Sequence, residues 1–319
     1  MLLNTVFIVV GVALVLWGAD RLTEGAVAIA ERMNISQIVI GLTVVAMGTS
    51  MPEFCVSLVS ALKGTPDMAV GNIVGSNIFN ALLIVGLTAV VSPMKILKTT
   101  VRKDIPFALV AAVILMMMCF DGKIGRLDAS VLFALFLIFM YMTVHGAQVE
   151  KGEMRKESQL VAADLSQKPR MSSALSAIWV IVGLTCLIFG SNLFVEGATQ
   201  VAATLGVSQA VIGLTIVAGG TSLPELATSV VAARKGNSGI AIGNVLGSNV
   251  FNILAILGAT GLISPMVIQG ITMTDLSIMV ISMIMIWLFS FTKYTIERWE
   301  GIILSLVFVA YMGFLIVNA

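Results

Sequence analysis

Apolar residues run along almost the whole chain in stretches of about 20, separated by short polar segments. A helix of that length crosses the hydrocarbon core of a bilayer. The pattern therefore predicts an all-α integral membrane protein with ten transmembrane helices, over residues 3–29, 36–62, 69–91, 104–120, 128–147, 173–202, 208–233, 239–262, 273–291 and 300–317. The first and sixth spans are long and polar in their second halves, so we expect them to be tilted or shielded by neighbouring helices.

The second half of the chain repeats the first at an offset of 172 residues. Between residues 36–93 and 208–265 the alignment needs no gap, and 33 of the 58 positions are identical. This predicts a first five-helix repeat over 1–148, a polar linker over 149–172 and a second five-helix repeat over 173–319. Because five is an odd number of spans, the two repeats must have opposite orientations in the membrane.

Loop charges support this inversion. With the N-terminus outside, the predicted cytoplasmic loops hold 14 basic residues and the outer loops hold 3, as the positive-inside rule requires. The loop at 94–103 carries four basic residues, whereas its counterpart at 266–275 carries none. We therefore predict a multi-pass protein of the cell (inner or plasma) membrane, with both termini outside and the linker 149–172 in the cytoplasm.

Composition excludes several classes of protein. The chain is 58% hydrophobic and only 11% charged, against about 25% in soluble domains. Its net charge of +1, with basic residues scattered over loops, indicates no nucleic-acid partner. One histidine and three separated cysteines offer no zinc or copper ligand set, and no cofactor is predicted.

Two matching segments contain the candidate chemistry: Gly41–Glu53 reads GLTVVAMGTSMPE and Gly213–Glu225 reads GLTIVAGGTSLPE. Proline removes a backbone donor and glycine tolerates non-helical angles, so we expect the helix to break over 48–52 and its counterpart. An ionisable residue inside a membrane span indicates a functional site. No Lys or Arg lies within the core of the second, third, seventh or eighth span, so Glu53 and Glu225 must bind a proton or a metal cation.

A second repeated segment supplies neutral oxygens. Gly71–Gly86 reads GNIVGSNIFNALLIVG and Gly243–Gly258 reads GNVLGSNVFNILAILG. The glycines four apart predict close helix packing. Ser76 and Asn80 are also four apart and share one helix face, as do their counterparts Ser248 and Asn252. These polar groups serve either as interhelical hydrogen-bond partners or as ion ligands.

All the candidate ligands are hard oxygen donors, which suit Ca²⁺, Mg²⁺ or Na⁺. They are the carboxylates of Glu53 and Glu225, the hydroxyls of Thr49, Ser50, Thr221 and Ser222, the amides of Asn80 and Asn252, and backbone carbonyls freed by the helix breaks. Two carboxylates neutralise one Ca²⁺ or two Na⁺, so both ions can compete for one site. Mg²⁺ keeps several waters and suits a protein cage less well.

The doubled motifs, GTSMPE with GNIVGSNIFN and GTSLPE with GNVLGSNVFN, resemble the two alpha-repeats of the cation/calcium antiporter superfamily, and prokaryotic sodium/calcium exchangers most closely. The resemblance covers essentially the whole chain. It implies a monomeric antiporter that exchanges Na⁺ for Ca²⁺ by alternating access, with the ions at the midplane between the repeats and the first and sixth helices sliding against a static core.

The resemblance also implies a role for each matching residue. Glu53 and Glu225 would bind both ions, and Thr49, Thr221, Ser50 and Ser222 would add ligands. Ser76, Ser248 and the carbonyls of Ala46 and Ala218 would form flanking sodium sites, and Asn80 and Asn252 would line the middle. Some members of the superfamily have an aspartate where this chain has Asn252, so the pocket offers two carboxylates rather than three.

Other functions remain open at the level of sequence. A Ca²⁺/H⁺ antiporter would use the same two carboxylates, although a proton has no need of the many neutral oxygens. The sequence does not decide whether K⁺ is required. A cation channel fits poorly with an inverted two-fold repeat, and an enzyme is not expected because no nucleophile–histidine set or phosphate loop is present.

Overall fold

The computed structural model describes residues 2–160, 171–206, 216 and 218–318. Part of the predicted linker and most of the first half of the seventh predicted span lie outside the described residues. The fold is almost entirely helical, and eight of its helices are long and apolar enough to cross a membrane, or up to nine if one bent pair counts as a single span. The prediction of an integral membrane protein is therefore confirmed at this level.

The first half of the chain forms seven helices. They are α1 (Leu2–Met33), α2 (Gln37–Thr49), α3 (Met51–Leu62), α4 (Pro66–Val91), α5 (Lys98–Arg102), α6 (Asp104–Met118) and α7 (Arg126–Leu160). The second half contributes six within the described residues. They are α8 (Ser173–Thr204), α9 (Ala218–Thr221), α10 (Leu223–Arg234), α11 (Ser238–Ile263), α12 (Met273–Ser290) and α13 (Arg298–Asn318).

The predicted helix break is confirmed. Ser50 separates α2 from α3, and the two helices meet at an angle of 47°. Ser222 separates α9 from α10 with nearly the same backbone angles, φ −88° and ψ 8° against −85° and 9° at Ser50. Pro52 and Pro224 follow two residues later, in the first turn of the new helix, where the missing N–H costs nothing.

Within the described residues, three π-helical turns lie inside the long helices, besides the single π-helical residue Ile216, and the sequence pattern did not predict them. They span Gly41–Val45 in α2, Phe79–Ile84 in α4 and Phe251–Ile256 in α11. A π turn inserts one residue into the helical period, so it rotates every side chain that follows. Such turns often mark functional sites, and two of these three contain the predicted ligands Asn80 and Asn252.

The linker was predicted to begin at residue 149, but α7 continues to Leu160. The predicted end of the fifth span at residue 147 agrees with the apolar, membrane-length part of this helix, Arg126–Ala147, so the first residues of the predicted linker continue the same helix. Glu, Lys, Gln, Met and Leu dominate this stretch, and these are good helix formers whatever their polarity. The change in hydropathy therefore marks where the helix leaves the apolar layer, not where it ends.

The centre of the fold is formed by α4 and α11. All of the most apolar window of α11 is buried, and 72% of that of α4, against 17% for α7 and α13. The outer helices expose their apolar side chains, as expected for helices that face lipid. Gly243 and Gly247 of α11 pack against α2, where an added Cβ would lie 2.8 Å from the Ile38 carbonyl oxygen and 2.6 Å from that of Leu42. The predicted close packing is therefore confirmed for the second repeat. In the first repeat it is wrong for Gly75, where an added Cβ would meet no described atom within 4 Å, and at Gly71 the nearest atom is Cδ1 of the Ile271 side chain at 3.1 Å.

The two long helices α1 and α8 pack against each other along a stripe of glycines spaced seven residues apart. The stripe consists of Gly11, Gly18 and Gly25 in α1 and Gly183, Gly190 and Gly197 in α8. A Cβ at Gly18 would lie 2.8 Å from the Gly183 carbonyl oxygen, and one at Gly190 would lie 2.8 Å from that of Gly11. Backbone therefore touches backbone, the arrangement by which small residues hold membrane helices together.

Two short β-ladders join the halves crosswise. The strands are β1 (Met94–Lys95), β2 (Lys123–Ile124), β3 (Met266–Val267) and β4 (Thr295–Ile296). β1 pairs antiparallel with β4, and β2 pairs antiparallel with β3. At the offset of 172 residues, β1 corresponds to β3 and β2 corresponds to β4. The internal repeat therefore relates the β1–β4 ladder to the β3–β2 ladder. Four two-residue strands are thus a minor departure from the all-α prediction.

Candidate cation-binding site

The two helix breaks place one carboxylate each at the centre of the molecule. Glu53 and Glu225 lie in the first turns of α3 and α10, directly after their prolines. The unpaired N–H groups at a helix start carry partial positive charge, which favours a carboxylate there. Glu53 is 1% exposed and Glu225 is 0% exposed. The two helix starts thus bury two acidic groups near the centre of the fold.

Each break hydrogen-bonds the carboxylate of the other. Ser50 Oγ donates to Oε1 of Glu225 at 2.9 Å, and Ser222 Oγ donates to Oε1 of Glu53 at 3.1 Å. Both serines are completely buried. The predicted residues of the two halves therefore form one site, with each serine serving the glutamate of the opposite half.

The second oxygen of each carboxylate has no protein partner. Oε2 of Glu53 and Oε2 of Glu225 are buried and accept no hydrogen bond from any described residue. Neither carboxylate forms an ion pair with a Lys or Arg in the described part of the chain. Burying a charge without a partner costs several kcal/mol, on the order of the penalty for a single ion in a protein interior. The two free oxygens therefore require a proton or a cation.

Two asparagines that were not predicted hold the backbone of these glutamates. Asn72 Nδ2 donates to the Glu53 carbonyl at 3.1 Å and to Ser57 Oγ at 2.9 Å. Asn244 Nδ2 donates to the Glu225 carbonyl at 3.2 Å and to Ser229 Oγ at 3.0 Å in the same way. Their repetition at the same offset was a signal in the sequence that could have found them.

The predicted threonines border the same carboxylates. Thr49 Oγ1 lies 3.1 Å from Asn244 Oδ1 and 3.3 Å from the Ala46 carbonyl oxygen, and it faces Glu225. Thr221 faces Glu53. The Ala46 carbonyl also accepts the Ser50 N–H at 3.0 Å, so it stays within the helix rather than being freed by the break.

The flanking residues are less alike. Ser248 is buried beside Glu225, and its Oγ makes no hydrogen bond to any described residue. Ser76 is buried on α4. Ala218 is the first residue of α9. Ser248 therefore lies beside a carboxylate. For Ser76 and Ala218 the structure gives the helix on which each lies and shows no contact with either glutamate.

Asn80 and Asn252 are buried in the π turns of α4 and α11. Asn80 Nδ2 donates to Asn249 Oδ1 at 3.0 Å, and Asn252 Nδ2 donates to Asn77 Oδ1 at 3.3 Å. The carbonyl oxygens Oδ1 of Asn80 and Asn252 accept no hydrogen bond from the described residues. Each amide thus donates a hydrogen bond across the helix interface, as one of the two interpretations predicts, and its acceptor oxygen has no partner among the described residues.

These groups suit a hard cation. Among the described residues, no three His, Cys, Asp or Glu side chains come together, so this site offers two carboxylates and otherwise neutral oxygens. Five of its oxygens are buried and have no partner among the described residues: Oε2 of Glu53 and Glu225, Oδ1 of Asn80 and Asn252, and Oγ of Ser248. Ca²⁺ takes six to eight such oxygens, and Na⁺ accepts the same donors.

Two basic residues, Arg21 and Lys235, form ion pairs at the edge of the fold. In α1, Arg21 pairs with Asp20 and Glu24 at 2.6 and 2.7 Å and lies 5.1 Å from the Trp179 ring centre. Lys235, at the end of α10, contacts Asp20 and lies 3.3 Å from Glu24. This cluster satisfies its own charges and is separate from the central carboxylates.

Comparison with known proteins agrees with this geometry. The family described as "Sodium/calcium exchanger protein" matches residues 3–144 and 175–317, two segments that begin 172 residues apart. "Sodium/calcium exchanger MaX1" from Methanosarcina acetivorans is 30% identical over 341 residues, covering 97% of each chain. "Inner membrane protein YrbG" from Escherichia coli strain K12 is 35% identical over 318 residues, covering 99% of this chain and 97% of that protein.

Among solved structures, the sodium-calcium exchanger NCX_Mj, soaked with 2.5 mM Na⁺ and 0.1 mM Ca²⁺, superposes with a TM-score of 0.84 at 31% identity. The match covers 98% of each chain. Both the sequence match and the structural match extend over nearly the full length, including the two helix breaks and the helices around them. The chain therefore belongs to the sodium/calcium exchanger family.

Proposed function

We propose that this protein is a secondary-active antiporter that exchanges Na⁺ for Ca²⁺ across a membrane by alternating access. One observation carries the proposal: two buried carboxylates, one from each half, share a site without a cationic partner, and each keeps one oxygen unpartnered. Such a pair needs a total positive charge of about two, which one Ca²⁺ or two Na⁺ supply. A site that either load can neutralise is the physical basis of exchange.

The ligands of the proposed site fall into two groups. The carboxylates of Glu53 and Glu225 bind both ions, with Thr49, Thr221, Ser50 and Ser222 around them. Ser76, Ser248 and the carbonyls of Ala46 and Ala218 form flanking sodium sites, and Asn80 and Asn252 line the middle. The unpartnered oxygens of Ser248, Asn80 and Asn252 support this assignment.

Asn252 makes the middle of the site neutral. With amides at both middle positions, the charge of the pocket comes from two carboxylates alone, which still balances one Ca²⁺. A neutral oxygen binds Na⁺ through its dipole and does not need to release a proton first. We therefore expect no proton to be transferred through this position during exchange.

The proposal includes an arrangement in the membrane. Ten spans form two inverted five-helix repeats, with both termini outside, the 149–172 segment cytoplasmic and the breaks at Ser50 and Ser222 near the midplane. The crosswise serine–glutamate bonds and crosswise β-ladders support a two-fold relation between the halves, and the odd number of spans in each half makes that relation an inversion. The distribution of basic residues supports the orientation. The protein acts as a monomer within the lipid bilayer, since each chain holds both carboxylates.

Calcium uptake into proteoliposomes tests the exchange. Purified protein is reconstituted into vesicles that contain Na⁺, K⁺, both ions, or neither ion with an imposed pH gradient. We expect uptake only when Na⁺ is inside. Uptake driven by the pH gradient alone would indicate Ca²⁺/H⁺ exchange, and a requirement for K⁺ together with Na⁺ would indicate a K⁺-dependent exchanger. Single-channel currents in planar bilayers would indicate a channel.

A further inference from the structure

Four buried asparagines form two crosswise pairs at the centre of the protein. Asn80 and Asn77, from the first half, bond Asn249 and Asn252, from the second. All four side chains are at most 2% exposed. Only Asn80 and Asn252 belong to the proposed site, and the proposed function does not account for Asn77 and Asn249.

Asn77 and Asn249, which we call the outer asparagines, each contact a methionine sulfur. Asn249 Nδ2 donates to Met283 Sδ at 3.4 Å, and Asn77 Nδ2 lies 3.9 Å from Met279 Sδ. A thioether can accept a hydrogen bond but cannot donate one. An asparagine whose NH₂ group faces the methionine gains this hydrogen bond, and the reversed amide gains none, so the sulfur favours the orientation that turns the carbonyl oxygen of Asn77 or Asn249 toward its asparagine partner.

The orientation of the outer asparagines in turn sets that of Asn80 and Asn252, the inner asparagines. The carbonyl oxygen of Asn249 can accept a hydrogen bond but cannot donate one, so it pairs with the NH₂ group of Asn80, which therefore faces Asn249. The carbonyl oxygen of Asn80 then faces away from Asn249, where it accepts no hydrogen bond from the described residues. The same reasoning orients Asn252 through Asn77. Without the sulfurs, each chain of amides could reverse and present an NH₂ group instead.

We propose that Asn77 and Asn249 are positioning residues that orient the amides of Asn252 and Asn80, so that each presents a carbonyl oxygen, and not an NH₂ group, to the transported cation. The inference rests on the proposed function. An NH₂ group facing a cation would repel it, so orientation decides whether the amide is a ligand at all. Each half of the molecule thus orients the middle ligand of the other.

Both chains of hydrogen bonds end on one helix. Met279 and Met283 lie four residues apart on α12 and therefore share a face. The offset of 172 maps them onto Phe107 and Ala111 of α6, which have no acceptor side chain. The sulfur acceptors at the ends of both chains thus come from the second half alone, although the four asparagines come from both halves.

A double-mutant cycle tests the inference, with the Michaelis constant for Ca²⁺ and the maximal rate measured in Na⁺-loaded proteoliposomes. Asn249→Ala leaves Asn80 free to reverse, so we expect the Michaelis constant to rise about tenfold, comparable to losing one hydrogen bond to a charged group. In the Asn80→Ala background the same change should add nothing, because its target is gone. Asn77→Ala, which acts through Asn252, should instead multiply the effect of Asn80→Ala.

Milder variants keep the test sharp if the alanine variants fold poorly. Met283→Leu retains the volume but removes the acceptor, so we expect a smaller rise in the Michaelis constant at unchanged thermal stability. Met285→Leu, on the same helix but outside both chains of bonds, is the matched control and should leave it unchanged. Equal effects of these two leucine variants would overturn the proposal.

Additive effects of Asn249→Ala and Asn80→Ala would also overturn it, since Asn249 would then act on something other than Asn80. Glu53→Gln in the same vesicles reports on the proposed function separately. Loss of uptake in Glu53→Gln with additive asparagine effects would reject the positioning role alone. Normal uptake in Glu53→Gln would reject the site itself.

Discussion

The two halves of this protein are alike at the centre and different at the edge. At the centre, the bonds from Ser50 to Glu225 and from Ser222 to Glu53 exchange under the internal repeat. At the edge, Lys235 pairs with Asp20 and Glu24, whereas its counterpart Lys63 makes no ion pair within the described residues. The proposed cation site needs the same contacts from both repeats, whereas the ends of the helices are free to diverge.

The sequence explains why the edge diverges. The counterparts of Asp20, Arg21 and Glu24 are Asn192, Leu193 and Glu196, so α8 keeps only one charge of the three. Glu196 and Lys63 are exposed and have not come together in this conformation. If the two repeats exchange conformations during transport, the pair that is formed and the pair that is apart should exchange as well.

The largest effect should come from removing either central charge. Glu53→Gln and Glu225→Gln preserve shape but leave a divalent cation with half its counter-charge, so we expect calcium uptake to fall to background in both. Glu31→Gln, which changes an exposed carboxylate, is the control and should transport normally. Unaltered uptake in one of the two variants would break the equivalence of the halves.

The glycine stripe between α1 and α8 should show the next largest effect. Gly18→Ala and Gly190→Ala each place a methyl group 2.8 Å from a carbonyl oxygen of the other helix. Overpacking of this kind costs about 1–3 kcal/mol, so we expect both variants to lower the midpoint of thermal unfolding to a similar extent. Gly313→Ala is the control, because its added Cβ meets no described atom within 4 Å. A shift confined to one half would contradict the symmetry of this contact.

Removing a middle ligand should be milder. Asn80→Ala and Asn252→Ala delete one neutral oxygen each, so we expect the Michaelis constant for Ca²⁺ to rise about tenfold in each, with transport retained. Concentration series of calcium uptake provide the measurement. Complete loss of uptake, equal to that of the glutamate variants, would mean that the amides matter as much as the charges.

The smallest effect should come from the edge. Partly exposed ion pairs are worth about 0.2–1 kcal/mol each, so Lys235→Gln should change the initial rate of uptake by only a few-fold. Lys63→Gln removes no ion pair that this conformation contains and serves as the matched variant. An effect of Lys63→Gln at least as large as that of Lys235→Gln would show that its pair forms in another state and matters there.

Much of this site follows from the sequence because repetition marks it twice. A proline followed by a glutamate in an apolar segment predicted both the helix breaks and the place of the two carboxylates within the fold. Residue spacing alone could not reveal which half each serine serves, because Ser50 and Glu225 are far apart in the chain and meet only through packing. The π turns around Asn80 and Asn252 left no mark in the apolar pattern, since one extra residue in a largely apolar, mostly buried helix does not change its mean hydropathy.

Binding of Ca²⁺ to the purified protein, measured by calorimetry at increasing Na⁺ concentrations, tests the central claim most directly. If Glu53 and Glu225 form one site for both ions, a single Ca²⁺ should bind per chain, Na⁺ should displace it competitively, and Glu53→Gln should abolish the binding. Ca²⁺ binding that Na⁺ leaves unchanged, or that persists in Glu53→Gln, would contradict a shared site.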